Sequence, residues 1–432
     1  MKVAINGTLS TAKIALFVVL LLVPLGAEIW DYFEKCPRGE LSWSQKISEA
    51  TFGYQRLTTS SRRPPRAHSV KIISLAKGQE PDDIFAPHLC RQRVFISKLL
   101  ERVESFHPAV IVIDKYFSLE GCEEKEPNER LRNSVATSPV PIIIGLQTLT
   151  GREIERDERF TAAEKKAIGA TCLMLAPHFK FDDHSVPSTF KYGLTRLNED
   201  TRKIPLQWSV YGEPADLDRG TPSSMATLSL ATAEQFEQGM PHARVLNQLL
   251  SQGKHPFTGF LREIPTISAI EVLCGKKPWT DPNWENCQGK GLPVDDDLQN
   301  RIVIIGEFGN EFDLHESVIG EISGVVLQAN YVESLLDDRY LSPVNKRIGL
   351  LVNLIWVVIV ELCFAYSSSP KRGLFYSVVS LLILAIICYL LVLDGYFLPV
   401  WVQTVWLVLI GVRWAEAQRG RIRLPWQHVS TE

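Results

Sequence analysis

The sequence predicts an α/β domain, a mainly parallel sheet sandwiched by helices. It is set outside a membrane and anchored by four transmembrane α-helices, one N-terminal and three C-terminal. Three observations carry this expectation. Continuous apolar runs such as "AVIVID" and "RIVIIG" have the length and pattern of strands buried on both faces. Segments with apolar residues at helical spacing fall between such runs, which is the rhythm of βαβ crossovers. Longer apolar stretches occur only toward the two ends of the chain, and a bilayer explains them best.

The first of these, residues 14–30 ("IALFVVLLLVPLGAEIW"), follows Lys13 and ends against Glu28, Asp31 and Glu34. A signal peptide would share its basic start and apolar core. Leu25, however, stands where a small residue is wanted before Ala27, so an uncleaved anchor is expected. Residues 348–366, 373–393 and 397–414 follow the domain. Each is roughly 18 to 21 residues, enough at about 1.5 Å per residue to cross a core of about 30 Å. Lys2, Lys13, Lys371, Arg372, Arg413, Arg419, Arg421 and Arg423 all fall on one side, which the positive-inside rule makes the cytoplasm. Lys346 and Arg347 dissent and are outnumbered. The expected organisation is a cytoplasmic N-terminus (1–13), an extracytoplasmic domain (31–347) between the first and second spans, and a short cytoplasmic tail (415–432).

Within the domain, "SVKIISLA" (Ser69–Ala76) is the first expected strand. Arg91–Phe106 is a helix, with Val94, Phe95, Leu99, Leu100 and Val103 on one face. Ala109–Asp114 is a buried strand, Asn128–Thr137 a short helix, Val140–Thr148 a third strand and Cys172–Pro177 another. Ala226–Gln235 and Pro241–Gln252 read as helices, and "KKPWTDPNWENCQGKG" as a loop. "RIVIIG" (Arg301–Gly306) is a late buried strand. A loop over Glu307–Ile322 then precedes an amphipathic helix with Ser323 as N-cap and Val325, Val326, Ala329, Val332, Leu335 and Leu336 facing the sheet. One outside domain, rather than two, is expected.

The net charge of −3 gives no basic field for nucleic acid. Of eight cysteines, Cys36, Cys90, Cys122, Cys172, Cys274 and Cys287 lie in the outside region, an even number in an oxidising compartment. Cys274 and Cys287 bracket a segment with no periodic apolar pattern and are a candidate staple. Cys90 precedes a helix and Cys122 follows the next strand. A crossover brings helix start and strand end to the same end of the sheet, so these two are a second candidate pair. Reduced thiols packed as small apolar groups are the plainer reading, above all for Cys172. No spacing reads as a metal site, and no cofactor is expected. "FDDH" (Phe181–His184) and "DDD" (Asp295–Asp297) carry calcium-type oxygens but no spaced ligand loop, and read as solvated surface.

Asp114 ends one buried strand, and Asp313, His315 and Glu316 follow another. Beyond the carboxyl ends of parallel strands these groups would share a rim fit for a cation or a small polar ligand. The plainer reading has Asp114 capping a turn and Asp313 satisfying backbone donors in its loop. In the expected spans, Asn353, Glu361 and Gln403 are polar. An intramembrane carboxylate is a functional candidate, although Glu361 also lies where it could snorkel to the interface. Three polar residues over four helices are few for a transporter. Nucleotide-loop, nucleophile-elbow and metalloprotease motifs are absent from the sequence, so an enzyme is not expected.

The chain resembles the second type of CHASE domain, the extracellular sensory module of bacterial cyclases and kinases. "HPAVIVIDKYFS", the late block "FDLHESVIGEISGVVLQANYVESLL" and the layout of one span before and three after carry the likeness, over about residues 14 to 414. The resemblance implies a sensor in a bacterial inner membrane that binds a small ligand or envelope component. Only a short stretch follows Trp414 here. The expectation is therefore a sensor without its own output domain, signalling to a separate cytoplasmic or membrane partner. A non-sensing scaffold of an envelope complex is the alternative.

Overall fold

The computed structural model describes residues 69–75, 89–118, 122–156, 190–197, 203–211, 223–236, 264–275, 298–307, 313–317, 320–337 and 370–393, with scattered others up to 398. Its centre is a six-stranded sheet built from the buried runs: β1 (Val70–Ser74), β2 (Val110–Asp114), β3 (Ile142–Leu146), β6 (Phe190–Leu194), β9 (Thr266–Ser268) and β10 (Ile302–Gly306). Their order is β6-β3-β2-β10-β1-β9, and every neighbouring pair is parallel.

Period-two alternation sends the two halves of each apolar run to opposite cores. Ile73, Ile111, Ile113, Val303 and Ile305 meet α1 (Leu89–Glu104), α2 (Lys125–Ala136) and α5 (Ala269–Cys274). Val70, Ile72, Val110, Val112, Ile302 and Ile304 meet α4 (Leu228–Phe236) and α6 (Gly324–Leu336). The α/β class and the mainly parallel sheet flanked by helices are as the sequence predicts.

Several elements differ from expectation. Within Val140–Thr148 the sheet strand ends at Leu146. Thr148 begins β4 (Thr148–Thr150), which leads into α3 (Gly151–Arg156) and pairs antiparallel with β5 (Leu173–Leu175) in a side ribbon. The Cys172–Pro177 strand is thus real, over Leu173–Leu175, but pairs with β4 outside the central sheet. β7 (Gln207–Val210) and β8 (Ser223–Ala226) form a second antiparallel ribbon. Neither β6 nor β9 is legible as a strand in the sequence. β9 has only three residues, and β6 exposes Lys191 at the edge of the sheet. The loop expected over Glu307–Ile322 contains a hairpin, β11 (Leu314–Ser317) against β12 (Gly320–Ser323). The expected helix Pro241–Gln252 and the loop at 276–291 lie outside the described residues.

Cys90 and Cys122 are joined by a disulfide with Cα atoms 4.8 Å apart. Cys274 is disulfide-bonded as well. Cys287, its expected partner, lies outside the described residues.

Residues Arg63–Ser342 form one compact unit, and Met1–Arg62 with Pro343–Glu432 the other. Counted over the described residues, no helix is long and apolar enough to cross a membrane. Of the expected spans only 373–393 is largely described, within the 24-residue α7 (Pro370–Leu393). There Phe375, Val378, Leu382, Ile383, Ile386 and Leu390 are exposed. Asn353, Glu361 and Gln403 lie outside the described residues.

Candidate functional site

β10 sits between β1 and β2. The helices that follow β1 and β2, α1 and α2, cover one face of the sheet, whereas α6, which follows β10, covers the other. Chains leaving neighbouring strand ends in opposite directions open a crevice at the carboxyl edge of a doubly wound sheet. The last residues of the three strands lie in register there, Ser74 beside Gly306 and Gly306 beside Asp114.

Asp114 shares the α6 side of the sheet with Val110 and Val112, two and four residues earlier. Gly306 lets α6 lie down on this edge. A Cβ there would sit 2.7 Å from Val325 Cγ2 and 3.3 Å from Asp114 Cβ, so any larger residue would displace the helix or the carboxylate. No hydrogen-bond donor among the described residues meets Asp114.

Asp313 reaches the start of α6. One carboxylate oxygen accepts the Gly324 N–H at 3.0 Å, and the other lies 3.2 Å from His315 Nε2. Gly324 is required for this seat, since a Cβ would fall 2.6 Å from both carboxylate oxygens. Ser323 is the N-cap by position, but its side chain makes no capping bond. Its hydroxyl is buried without a partner among the described residues. Asp313 therefore performs the capping that the sequence assigns to Ser323, and a carboxylate suits the positive end of the helix dipole. His315 is the middle of the β11 pairing, opposite Ile322. Glu316 follows it in β11, and its side chain lies outside the described residues.

Two charged groups that sequence reasoning missed complete the rim. Lys115, directly after β2, pairs with Glu307, directly after β10. The signal was available, because each is simply the next residue beyond a buried strand. Burial pushes the Asp114 carboxyl up to about 7 from 3.8, with Asp313 and Glu307 raising it further and His315 opposing them. Asp114 retains some exposed surface, but desolvation of the charged form is the leading cause. Asp114, Asp313 and His315 are thus brought to one rim, with Glu307 and Lys115 beside them.

Along its length α6 is tied to separate segments by buried polar side chains. Gln328 donates to the Thr195 carbonyl at 3.0 Å, Tyr331 to the Thr201 carbonyl at 2.6 Å, and Ser334 lies 2.6 Å from the Thr258 hydroxyl. At the opposite end of the sheet from the rim, Glu333 accepts the Val70 N–H at 2.7 Å. None of these four was singled out in the sequence, where they sit among the apolar positions of the helix.

Sheet order, divergent helices and a charged rim beneath a capped helix define a doubly wound α/β domain whose polar crevice lies where such sheets receive ligands. The chain belongs to the CHASE2 domain family, whose model matches residues 69–365. CHASE2 domains are extracytoplasmic sensory domains. Comparison with curated proteins and with solved structures yields no match.

Proposed function

We propose that this protein is a membrane-anchored extracytoplasmic sensor whose input site is the rim formed by Asp114, Asp313, His315, Glu307 and Lys115. The observation that carries the reading is the bond from Gly324 N–H to Asp313, because it ties the rim to the first residue of α6. A ligand that competes for Asp313 changes the seat of the whole helix. Past α6, which ends at Leu336, a connector of eleven residues (337–347) leads to the second expected span, so a shift of the helix is passed to the membrane segments and to a partner protein that reads them.

Family membership supports the sensory and extracytoplasmic parts of this reading. The sequence from Gly373 to Leu393, largely apolar and without a charged residue, supports the membrane part. Asn353, Glu361 and Gln403 are then the polar positions from which a partner's helices are sought. Membership of a sensory family is consistent with a non-enzyme.

The test is a thermal-shift panel of divalent cations and small polar metabolites on the full chain in detergent, repeated with Asp313→Asn. A stabilising compound whose effect is lost in the variant is the expected result. A panel in which nothing stabilises the protein favours the scaffold reading. Orientation is tested separately. A reporter active only in the cytoplasm should work when fused after Glu432 and fail when fused within Asp295–Asp297; the reverse pattern overturns the topology.

A further inference from the structure

We infer that one cue read at this rim is the proton: Asp114 is a protonation site that holds the Asp313 cap on α6 while neutral and loosens it when ionised. The inference rests on the rim being the sensor's input site. It stands on the placement of the groups. Asp114 meets no hydrogen-bond donor among the described residues and lies on the side of the sheet covered by the first turn of α6, where Val325 packs over neighbouring Gly306. An unpaired carboxylate in such a place is most cheaply neutralised by taking up a proton.

The charges around it favour the same outcome. Glu307 faces it from the end of β10, and Asp313 and His315 from the chain before and within β11. Lys115, next along the chain, is engaged by Glu307. The first turn of α6 (Gly324, Val325, Val326) and the neighbouring strand ends (Ser74 of β1, Gly145 near the end of β3) bring no charge. Two of the three charges acting on Asp114 are therefore negative, and only His315 opposes them.

The coupling runs through Asp313. When Asp114 is neutral, the Asp313 carboxylate has the Gly324 N–H and the helix dipole on one side and His315 on the other. When Asp114 ionises, a second negative charge acts on Asp313 from the sheet and weakens its hold on Gly324. The rise of the Asp114 carboxyl to about 7 places this change within the range that a protein outside the cytoplasm meets.

The experiment is amide hydrogen exchange on the full chain in detergent from pH 5.5 to 8.5, corrected for the intrinsic chemical rate. It is read in peptides covering residues 320–330 and, separately, residues 340–350. The expected result is protection at 320–330 that falls by about tenfold across a midpoint near 7, the effect of one pKa unit of coupling. In Asp114→Asn the segment stays protected throughout. In Asp313→Asn, which keeps an oxygen for Gly324 but removes the repelling charge, the midpoint moves to lower pH. This second variant serves if the first does not fold. Protection independent of pH, or a transition that persists in Asp114→Asn and vanishes in His315→Gln, overturns the inference. A transition at 320–330 with no matching change at 340–350 sustains the proton site but sinks the sensor reading, so the two fail separately.

Discussion

The two faces of the central sheet are held by different forces. The face under α1, α2 and α5 is large and apolar, with Phe95, Ile96, Leu99, Leu100 and Val103 of α1 packed against Ile111, Ile113, Val303 and Ile305. It is reinforced covalently by Cys90–Cys122, and Arg93 and Arg132 both lie over the Phe179 ring. The face under α4 and α6 is smaller and is laced with buried polar groups, among them Gln328, Asn330, Glu333 and Ser334 on α6 itself. Apolar contact is non-directional and yields gradually, whereas a hydrogen bond is lost over a few tenths of an ångström and a few tens of degrees. One face is therefore suited to stay put, and the other to occupy discrete positions.

Substitutions can break or sharpen this contrast. The largest expected effect is on the apolar face. Phe95→Ala, at a fully buried position, should cost about 3–5 kcal/mol in chemical denaturation while leaving the pH response of α6 intact. If that response disappears as well, the faces are not independent. Replacing both Cys90 and Cys122 by serine frees a loop with a sequence separation of 32 residues. In the chain-entropy account this costs roughly 3–4 kcal/mol, seen as a lower melting temperature in the absence of reductant.

On the polar face, Glu333→Ala leaves the buried Val70 N–H without its acceptor, for a cost of about 1–3 kcal/mol. Glu333→Gln should recover part of it, because the amide oxygen accepts the same bond; equal losses in the two variants would assign the effect to charge. A change of the opposite sign concerns Asp114. Its folded value of about 7 lies above its unfolded 3.8, so its stabilising share is whole below pH 3.8 and is lost as the pH climbs through about 7. Asp114→Asn should therefore match the parent only near or below pH 3.8, gain on it as the pH rises, and melt at a clearly higher temperature near pH 8. A lower melting temperature at pH 8 would mean that the ionised carboxylate is the stabilising form.

The same contrast explains what the sequence discloses. Strands buried on both faces are legible because nothing polar interrupts them, and "AVIVID" and "RIVIIG" place β2 and β10 within a residue. The capping of α6 is misread for a local reason. Ser323 satisfies the positional rule, and only the fold reveals that the chain doubles back through a hairpin to deliver Asp313 to Gly324. The hairpin itself is hidden because Val318 and Ile319, the two residues between its strands, have none of the Gly, Asn or Asp chemistry that marks such turns. Asp114, Asp313 and His315 could be chosen from the sequence because parallel strands align their carboxyl ends. Glu333 could not, since a carboxylate two turns into a helix looks solvated until the register against β1 is known. Cys90–Cys122 is one of two candidate pairs the sequence offers, suggested by crossover geometry, and the structure forms it.

β10 lies between β1 and β2 yet is made long after both. As the chain is synthesised, β1 and β2 emerge first with a vacancy one strand wide between them, each presenting an open edge of unpaired backbone groups to any passing strand. Nearly the whole domain must be produced before that vacancy is filled, and the long wait makes folding slow and association with other chains a hazard. The segment that closes the sheet is followed directly by the hairpin and α6. Completion of the fold, burial of the exposed edges and assembly of the sensing rim thus become a single late event, and a nascent chain truncated before Ile302 has neither a closed sheet nor a site.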